Sequence, residues 1–287
     1  MKKIVVMLLA LVGLVGFTGC NKTEGDAVKI IDIKLTDEDY AYVVKKGNTA
    51  LVEDFNAFLT TIKENGKFNE IVTKYFNSDD LEGKNGVNYI ETVDSSNDEN
   101  TFVVATNCPF APFEFIGTDG KMYGIDIEIA QLYAQSKNLT LVVKNIDFDA
   151  IFTNVESGYA DMGMAGITIS EERQKLYDFT DAYYQASQKL IVKGDNTAFD
   201  NCKTAQDVEA VLKSLKGEKI GYQIGTTGEL YVNGDADWGF EGFTTVTPTG
   251  YKTAQLAIQD IINGQVYGVV VDEAPAASMV KAMNAIN

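Results

Sequence analysis

Apolar residues change their spacing several times along this 287-residue chain, and each spacing predicts a different element. From Ala27 to Leu35 apolar and polar residues alternate, which is typical of a strand, and Tyr40 to Val44 is a second extended run. Apolar residues then recur at helical spacing from Thr49 to Ile62 and again from Phe68 to Phe76. The first part of the chain therefore predicts two extended segments followed by two amphipathic helices.

Beyond residue 100 the pattern alternates between buried strands and amphipathic helices. Strands that alternate with helices imply parallel sheets with both faces covered, and ligands of such sheets bind at the carboxyl ends of the strands. The alternation occurs in two series, which predicts two lobes. The predicted strands are 101–106, 140–143, 160–165, 188–192, 219–224, 244–247 and 267–271, and the predicted helices are 124–136, 148–156, 204–215 and 251–262, with others starting at 170, 227 and 274.

The segment 77–100 differs in composition from both of its neighbours. It contains seven acidic residues against Lys84 alone, with Gly, Asn and Ser between them. Such a composition is typical of a solvated linker. We interpret 77–100 as an acidic linker, with Val87 to Ile90 as a candidate for local packing.

The N-terminus has the features of an export signal. Lys2 and Lys3 precede an apolar stretch from Ile4 to Gly16, which is short for a membrane span. The stretch ends in Phe17-Thr18-Gly19-Cys20, which resembles a lipobox, although Phe17 replaces the usual leucine. We predict a signal peptide over 1–19, lipidation of Cys20 at the extracytoplasmic face of the membrane, and a tether over 20–26. The alternative is a plain secretory signal cleaved near Gly19.

Composition and charge exclude several classes of function. The net charge of −17, from 24 basic and 41 acidic residues, argues against a nucleic-acid surface. Because histidine is absent, imidazole catalysis and histidine metal sites are excluded, and we predict neither metal nor cofactor. Cys108 and Cys202 could form a bridge in an oxidising compartment, but we prefer two unpaired thiols.

Arg173 is the only arginine among the 24 basic residues. Lysine serves any solvated role, whereas a planar guanidinium is suited to bidentate recognition of a carboxylate. Ser170 can cap the helix that follows, so the guanidinium lies beside a helix N-terminus, which favours anions. The alternative is a structural salt bridge, for example to Asp161 or Asp178.

Five stretches identify a family resemblance. They resemble the polar amino-acid family of periplasmic solute-binding proteins, the receptors of ABC importers. The resemblance implies an α/β type II periplasmic-binding-protein fold and a monomeric receptor that delivers a free L-amino acid to a permease with its ATPase. The stretches are FVVATNCPFAPFEF (102–115), YGIDIEIAQLYAQ (123–135), IDFDAIFTNVESGYADMGMAGITISEERQKLYDFTDAYY (146–184), IGYQIGTTGEL (220–230) and YGVVVDEAPA (267–276).

The order of the segments is unusual for that family. Residues 35–76 resemble the family's C-terminal end but precede everything else, so the chain resembles a circular permutant. The alternative is a separate helical domain over 21–100. The expected domains are lobe 1 over 38–76 and 101–194, and lobe 2 over 27–37 and 195–287, with hinge crossovers near 40–44 and 189–193.

The resemblance also implies roles for individual residues. Arg173 would bind the α-carboxylate and Asp272 the α-ammonium of one zwitterion, and this pairing would drive closure of the lobes. An ordinary helix cap is the alternative for Asp272, and simple core packing is the alternative for the aromatic residues. Glu114 and Asp126 lie in family motifs but are interpreted as structural. The remaining ligand-binding candidates are Gly166, Thr168, Thr226 and Thr227 for the amino-acid backbone, Phe110 and Phe148 for flanking aromatic contacts, and Asn107 and Gln223 for the side chain.

The expected ligand carries a polar, uncharged side chain. Asn107 stands where several relatives of cationic or amide specificity have an acid, and the predicted pocket contains no second cation. Two other functions stay open at this point: a dehydratase of amino-acid precursors on the same fold, and a sensory module. The first needs an acid/base group in the cleft, and the second needs a fused signalling domain.

Overall fold

The computed structural model describes residues 25–77, 85–91 and 99–286. The predicted signal peptide 1–19, Cys20, most of the tether 20–26 and much of the linker 77–100 lie outside the described residues. Within the described ranges, no helix has the length and apolar character that a membrane span requires.

Most strands and helices of the described ranges follow the order that the hydrophobic pattern predicts, but the short strands at 115–116, 122–123, 177–179 and 184–186 are additional, and the strand predicted near 244–247 lies at 247–251. The strands are β1 Val28–Ile31, β2 Glu38–Tyr40, β3 Val43–Lys45, β4 Tyr89–Ile90, β5 Thr101–Thr106, β6 Phe115–Ile116, β7 Met122–Tyr123, β8 Thr140–Asn145, β9 Met162–Gly163, β10 Tyr177–Phe179, β11 Tyr184–Ala186, β12 Gln188–Lys193, β13 Lys219–Gln223, β14 Thr247–Tyr251 and β15 Gly268–Asp272. The helices are α1 Thr49–Glu64, α2 Lys67–Asn77, α3 Ile125–Ser136, α4 Phe148–Ser157, α5 Glu171–Leu176, α6 Ala205–Ser214, α7 Thr227–Asn233, α8 Ala254–Ile262 and α9 Glu273–Ile286.

Lobe 1 is built on a six-stranded sheet with the order β10-β3-β9-β5-β8-β4. Consecutive residues of its central strand β5 point to opposite faces: Phe102 and Val104 join the core that includes α1 to α3, and Val103 joins the core around Ile151 of α4. Both faces are therefore buried, which explains the nearly continuous apolar sequence of β5.

Lobe 2 is built on a five-stranded sheet with the order β1-β12-β15-β13-β14. In its central strand β15, Val269 and Val271 pack in the core that includes residues of α8 and α9. Val270 faces the opposite core, which includes Val208 of α6 and Val232 of α7. The expected α/β layering is thus present, but β12 runs antiparallel to its neighbours β1 and β15, and β3 runs antiparallel to β9 and β10, so both sheets are mixed and not wholly parallel.

The predicted crossovers near 40–44 and 189–193 are wrong in their bounds. β3 lies inside the sheet of lobe 1, and β12 lies inside the sheet of lobe 2. The residues of β12 are almost all buried because β1 and β15 flank this strand on either side, and an exposed crossover could not bury such a run. The chain crosses instead through β2 and β11, which pair with each other as a separate two-stranded ribbon. We call this pair the hinge ribbon.

Part of the predicted acidic linker belongs to the fold. β4 pairs with β8 at the edge of the lobe 1 sheet, and the buried Val87 exchanges backbone hydrogen bonds with Met122. The apolar residues Val87 and Ile90 explain this packing, because they interrupt the polar composition of the segment. The expected local packing of Val87 to Ile90 is therefore confirmed, and the description of 77–100 as a solvated linker does not apply to residues 87–90.

Residues 25–77 contribute to both lobes and do not form a separate helical domain. β1 pairs with β12 in lobe 2, whereas β3 pairs with β9 and β10 in lobe 1. The side chain of Asn284 in α9 accepts a hydrogen bond from the Val28 amide at 3.1 Å and donates one to the Val28 carbonyl at 2.9 Å. The last helix and the first strand of the described chain are thus in direct contact.

Candidate functional site

A cavity lies between the two lobes, and residues of both lobes line it. All ten residues that the sequence analysis selects for ligand binding line it, together with two that it does not select, Glu114 and Ala165. None of the described lining residues is a lysine. The predicted lining residues are Asn107, Phe110, Phe148, Gly166, Thr168, Arg173, Gln223, Thr226, Thr227 and Asp272.

The ends of secondary-structure elements bring these residues together. Asn107 directly follows β5, Gln223 ends β13 and Asp272 ends β15. The carboxyl ends of strands in such sheets meet at one edge, and the helices that follow begin there. Phe148 and Thr227 are the first residues of α4 and α7, so both lobes present the same kind of edge to the cavity.

Arg173 spans the gap between the lobes. Its Nη1 donates to the Thr168 carbonyl at 2.7 Å within lobe 1, and its Nη2 donates to the Gly225 carbonyl at 2.9 Å on lobe 2. The guanidinium carbon lies 5.0 Å from the ring centre of Phe152 and 6.0 Å from that of Phe148, within the range of cation–π contacts. Burial lowers the pKa of Arg173 to about 10, so the group stays charged at neutral pH.

The two structural alternatives for Arg173 do not occur. Asp178 pairs with Lys46 at 2.9 Å, and Asp161 accepts a hydrogen bond from the Val103 amide at 2.7 Å. Among the described residues no carboxylate forms an ion pair with Arg173. The guanidinium carries five N–H groups and donates two hydrogen bonds to carbonyl oxygens of the described residues, so N–H groups remain for a ligand in the cavity.

Asp272 is buried at the point where lobe 2 meets the hinge ribbon. Its Oδ1 accepts hydrogen bonds from the Tyr40 hydroxyl at 2.5 Å and from Gln188 Nε2 at 2.9 Å. Burial and, to a smaller extent, the neighbouring Glu38 carboxylate raise the pKa of Asp272 to about 7, against the opposing effect of these hydrogen bonds. Asp272 directly precedes α9, the position that the helix-cap alternative requires, but it also lines the cavity.

Glu38 is a buried acid of the hinge ribbon that the sequence analysis does not select. Its Oε2 accepts a hydrogen bond from the Thr168 hydroxyl at 2.6 Å, and its Oε1 accepts one from Gln188 Nε2 at 3.1 Å. The Thr227 hydroxyl of lobe 2 in turn donates to the Thr168 hydroxyl at 3.2 Å. Glu38 thus connects the hinge to both walls of the cavity. Its position is set by tertiary pairing, so no sequence motif indicates it.

Two side-chain amides join the lobes at another part of the cavity wall. Gln223 Nε2 donates to Asn107 Oδ1 at 2.7 Å and to the Lys252 carbonyl at 3.0 Å. Asn107 Nδ2 donates to the Ile146 carbonyl at 2.7 Å. Because these three bonds use nitrogen donors, the oxygen of Gln223 is the acceptor left for a ligand at this position.

Gly166 and Phe110 form a close contact that excludes larger residues. Gly166 has φ +56°, and a Cβ atom at this position would lie 2.8 Å from Phe110 and 3.1 Å from Tyr40. The Gly166 amide donates to Asp126 at 3.1 Å, and that carboxylate also accepts from the hydroxyls of Tyr42 and Tyr183. Burial raises the pKa of Asp126 to about 7. Its contacts agree with the structural role expected from the sequence.

The Gly225-Thr226-Thr227 turn uses two of its backbone amides inside lobe 2. The Gly225 amide donates to Glu229 Oε2 at 2.6 Å, and the Thr226 amide donates to the Gln223 carbonyl at 3.4 Å. These two donors are used inside lobe 2 because Glu229 of α7 turns back over the start of its own helix. Thr226 and Thr227 still line the cavity.

The described cysteines and acids provide no metal site. Cys108 and Cys202 are free, as the sequence analysis prefers, and burial raises the pKa of the Cys108 thiol well above its usual range. Over the described ranges no three His, Cys, Asp or Glu side chains are arranged to hold a metal ion.

Comparisons with known proteins identify the family. Residues 102–276 match the bacterial extracellular solute-binding proteins, family 3. This chain belongs to that family. The L-cystine-binding protein TcyJ of Escherichia coli K12 is 30% identical over 184 residues, which cover 64% of this chain and 63% of TcyJ.

Solved structures agree with this assignment and show a type II periplasmic-binding-protein fold. An ancestral arginine-binding protein bound to arginine has a TM-score of 0.54 and 36% identity, and the match covers 64% of this chain and 74% of that one. An ancestral arginine-binding protein bound to glutamine has a TM-score of 0.55 and 34% identity, covering 65% and 75%. Against TcyJ the chain spans slightly less than two thirds of the relative's length.

The raised pKa of Asp272 predicts a pH dependence of stability. The carboxyl has a pKa of about 7 in the folded protein and 3.8 without the fold, so the folded state holds a proton that the unfolded state releases. The contribution of Asp272 to the free energy of unfolding is fully present below pH 4 and is lost as the pH rises towards 7. Asp272→Asn keeps the oxygen that accepts from Tyr40 and Gln188 but cannot titrate. We expect its free energy of unfolding to change less with pH over this range than that of the wild type.

The difference in free energy of unfolding between Asp272→Asn and the wild type should change by at most about 1.4 kcal/mol per pH unit. Urea unfolding of the ligand-free proteins measures it. Asp195→Asn, at an exposed aspartate outside the cavity, is the control and should keep the wild-type slope. Parallel profiles for Asp272→Asn and the wild type would contradict the prediction.

Proposed function

We propose that this chain is an extracytoplasmic receptor that binds a polar L-amino acid between its lobes and delivers it to an ABC permease. One observation supports the proposal most: Arg173 of lobe 1 and Asp272 of lobe 2 line the same cavity. A guanidinium and a carboxyl group are complementary to the two ends of an amino-acid zwitterion. The names of the matched relatives, which bind cystine or arginine, are consistent with this class of ligand.

Binding and closure are coupled in this proposal. Arg173 would hold the α-carboxylate through its remaining N–H groups, while Asp272 would accept from the α-ammonium. Since the two groups lie on different lobes, the zwitterion gains its full set of contacts only when the lobes are closed. The hinge ribbon β2/β11 is the place where the chain would bend.

The side chain of the ligand is proposed to be polar and uncharged. Asn107 and Gln223 contribute amide groups at this part of the cavity, and Phe110 and Phe148 contribute apolar walls. No lysine lines the described cavity, and its one guanidinium is assigned to the α-carboxylate. An acidic side chain would therefore lack a cation, and an unpaired buried charge is costly.

The dehydratase alternative has less support than the receptor. A dehydratase needs a placed acid/base, and the chain contains no histidine, while no lysine lines the described cavity. The matched relative TcyJ is named as a binding protein. The sensory alternative has no specific observation in its favour.

We also propose that a lipid on Cys20 anchors the receptor at the extracytoplasmic face of the membrane. The support is the sequence Phe17-Thr18-Gly19-Cys20 after a short apolar stretch. Mass spectrometry of protein extracted from membranes would test it, because an unmodified Cys20 contradicts the proposal.

A screen of ligands tests the proposed function directly. Tight binding to the folded state stabilises it by RT ln(1 + [L]/Kd), so a bound amino acid raises the melting temperature. The screen covers the twenty standard L-amino acids and L-cystine. We expect neutral polar amino acids to give larger shifts than arginine, lysine, glutamate or aspartate. Lysine or glutamate as the tightest ligand contradicts the proposed neutral pocket, and no shift with any compound contradicts the receptor function.

Substitution of Arg173 by lysine tests the geometry of carboxylate recognition. Arg173→Lys keeps the positive charge but loses the planar arrangement of donors. We expect the best ligand of the screen to bind about 30-fold to a few thousand-fold more weakly, which corresponds to about 2–5 kcal/mol. Calorimetry on the folded variant measures the change. Lys175→Arg, an exposed residue of the same helix, is the reciprocal control and should bind as the wild type does.

We further propose that the chain is a circular permutant of the family's usual order. The support is that residues 35–76 resemble the family's C-terminal end and that Asn284 contacts Val28 directly. The match of residues 102–276 leaves these first segments outside it, as a displaced segment would be.

A reordered chain tests the permutation. It runs from residue 85 to 286, so that β4 is kept, and a short Gly/Ser linker then joins it to residues 27–77. We expect it to fold and to bind the same amino acid with similar affinity, because loop closure costs little more with altered length. Calorimetric affinity and the ligand-dependent melting shift are compared with the natural order. A soluble monomer that remains unfolded would contradict the permutation.

A further inference from the structure

Glu114 is a buried carboxyl group in the wall of the cavity, and its carboxyl oxygens bond neither Arg173 nor Asp272, the two residues proposed to hold the ligand. Its exposure is 0%, and it lines the cavity together with Arg173 and Asp272. Both of its carboxyl oxygens are buried without a hydrogen-bond partner among the described residues. No described lysine or arginine forms an ion pair with it. A fully buried acid without a partner is costly, so the group requires an explanation.

The backbone around Glu114 holds this side chain in place. The Phe110 amide donates to the Glu114 carbonyl at 2.7 Å, and the Glu114 amide donates to the Phe110 carbonyl at 3.3 Å. The neighbouring Gly124 packs so closely that a Cβ atom there would lie 2.0 Å from the Phe113 carbonyl oxygen. These contacts fix the backbone position of Glu114, and its side chain is fully buried there.

The titratable groups that face Glu114 are acidic or neutral. Arg173 lines the same cavity but donates its two recorded hydrogen bonds to carbonyl oxygens. Burial raises the pKa of Glu114 well above its usual range, and the carboxyls of Asp126 and Asp272 raise it further. The facing groups are Asp126 of α3, Asp272 of β15, Tyr40 of β2, and Tyr42, Tyr183 and Cys108.

Asp272 by itself does not match an ammonium group well. Its Oδ1 already accepts hydrogen bonds from Tyr40 and Gln188, while an ammonium presents three N–H donors. A second carboxyl group in the same cavity supplies the missing acceptors. Glu114 is the described lining residue whose carboxyl oxygens are both unused.

We propose, on the basis of the receptor function proposed above, that Glu114 is a further ligand-binding residue that contacts the α-ammonium together with Asp272 and releases its proton to solvent as the amino acid binds. The ammonium replaces the proton as the positive charge beside this carboxyl group. Binding then becomes tighter as the pH rises, because a reaction that releases a proton is favoured at low proton concentration.

The test measures proton release by calorimetry at pH 7 in two buffers that differ in their enthalpy of ionisation. The probe is the L-amino acid that gives the largest shift in the thermal screen. We expect the wild type to release about one proton more per bound amino acid than Glu114→Gln does. The difference between the proton counts of the wild type and of Glu114→Gln isolates the proton of Glu114, since Asp272 contributes to both counts. The affinity of Glu114→Gln should be about 10- to 100-fold weaker, the usual effect of losing a charged hydrogen-bond partner.

Glu128→Gln is the matched control. Glu128 is a buried acid of the same lobe that pairs with Lys74 at 2.9 Å and does not line the cavity. This variant should keep the affinity and the proton count of the wild type. Equal affinity and equal proton release for Glu114→Gln and the wild type would overturn the proposal.

Two further outcomes are distinguishable. If Glu114→Gln does not fold, the wild type alone decides: an affinity that does not rise between pH 6 and pH 8 overturns the role of Glu114. If no amino acid binds the wild type, the receptor function itself has failed, which the thermal screen shows before any variant is made.

Discussion

The structure depends on burying charged groups where the two lobes and the hinge meet. Asp272, at the end of a strand in lobe 2, is held by Tyr40 of the hinge ribbon and by Gln188, which also bonds Glu38. A buried carboxyl group is tolerated only when polar partners compensate for lost hydration. These partners come from segments far apart in sequence, so the arrangement exists only when both lobes and the ribbon are assembled.

The need of buried polar groups for hydrogen-bond partners also explains why a cavity is present between the lobes. Arg173 bonds carbonyl groups of both lobes, and Gln223 of lobe 2 bonds Asn107 of lobe 1. These contacts join two edges at which strands end and helices begin, and the polar side chains at those edges cannot pack as a core. The interface is therefore polar and incompletely filled, which suits a small charged ligand better than a permanent domain contact.

The proposed receptor function would use the charged groups that line the cavity. The cavity combines one guanidinium with two carboxyl groups, those of Glu114 and Asp272, and burial together with the Glu38 carboxylate raises the pKa of Asp272 to about 7. A zwitterion adds a carboxylate beside the cation and an ammonium beside the acids. In the proposed receptor the free energy of that pairing would be available only in the closed form, which is the differential affinity that a hinge motion requires.

The sequence by itself determined the residue types that carry the chemistry and much of the order of elements. The single arginine, the strands that end at or next to Asn107, Gln223 and Asp272, and the helical periodicity of 49–62 are local properties, and the local pattern sets them. Tertiary structure decided the pairing of β12 within lobe 2, the inclusion of β4 in a sheet, and the burial of Glu38 and Glu114. Those features depend on which segments meet across the fold, and spacing along the chain carries no direct record of such contacts.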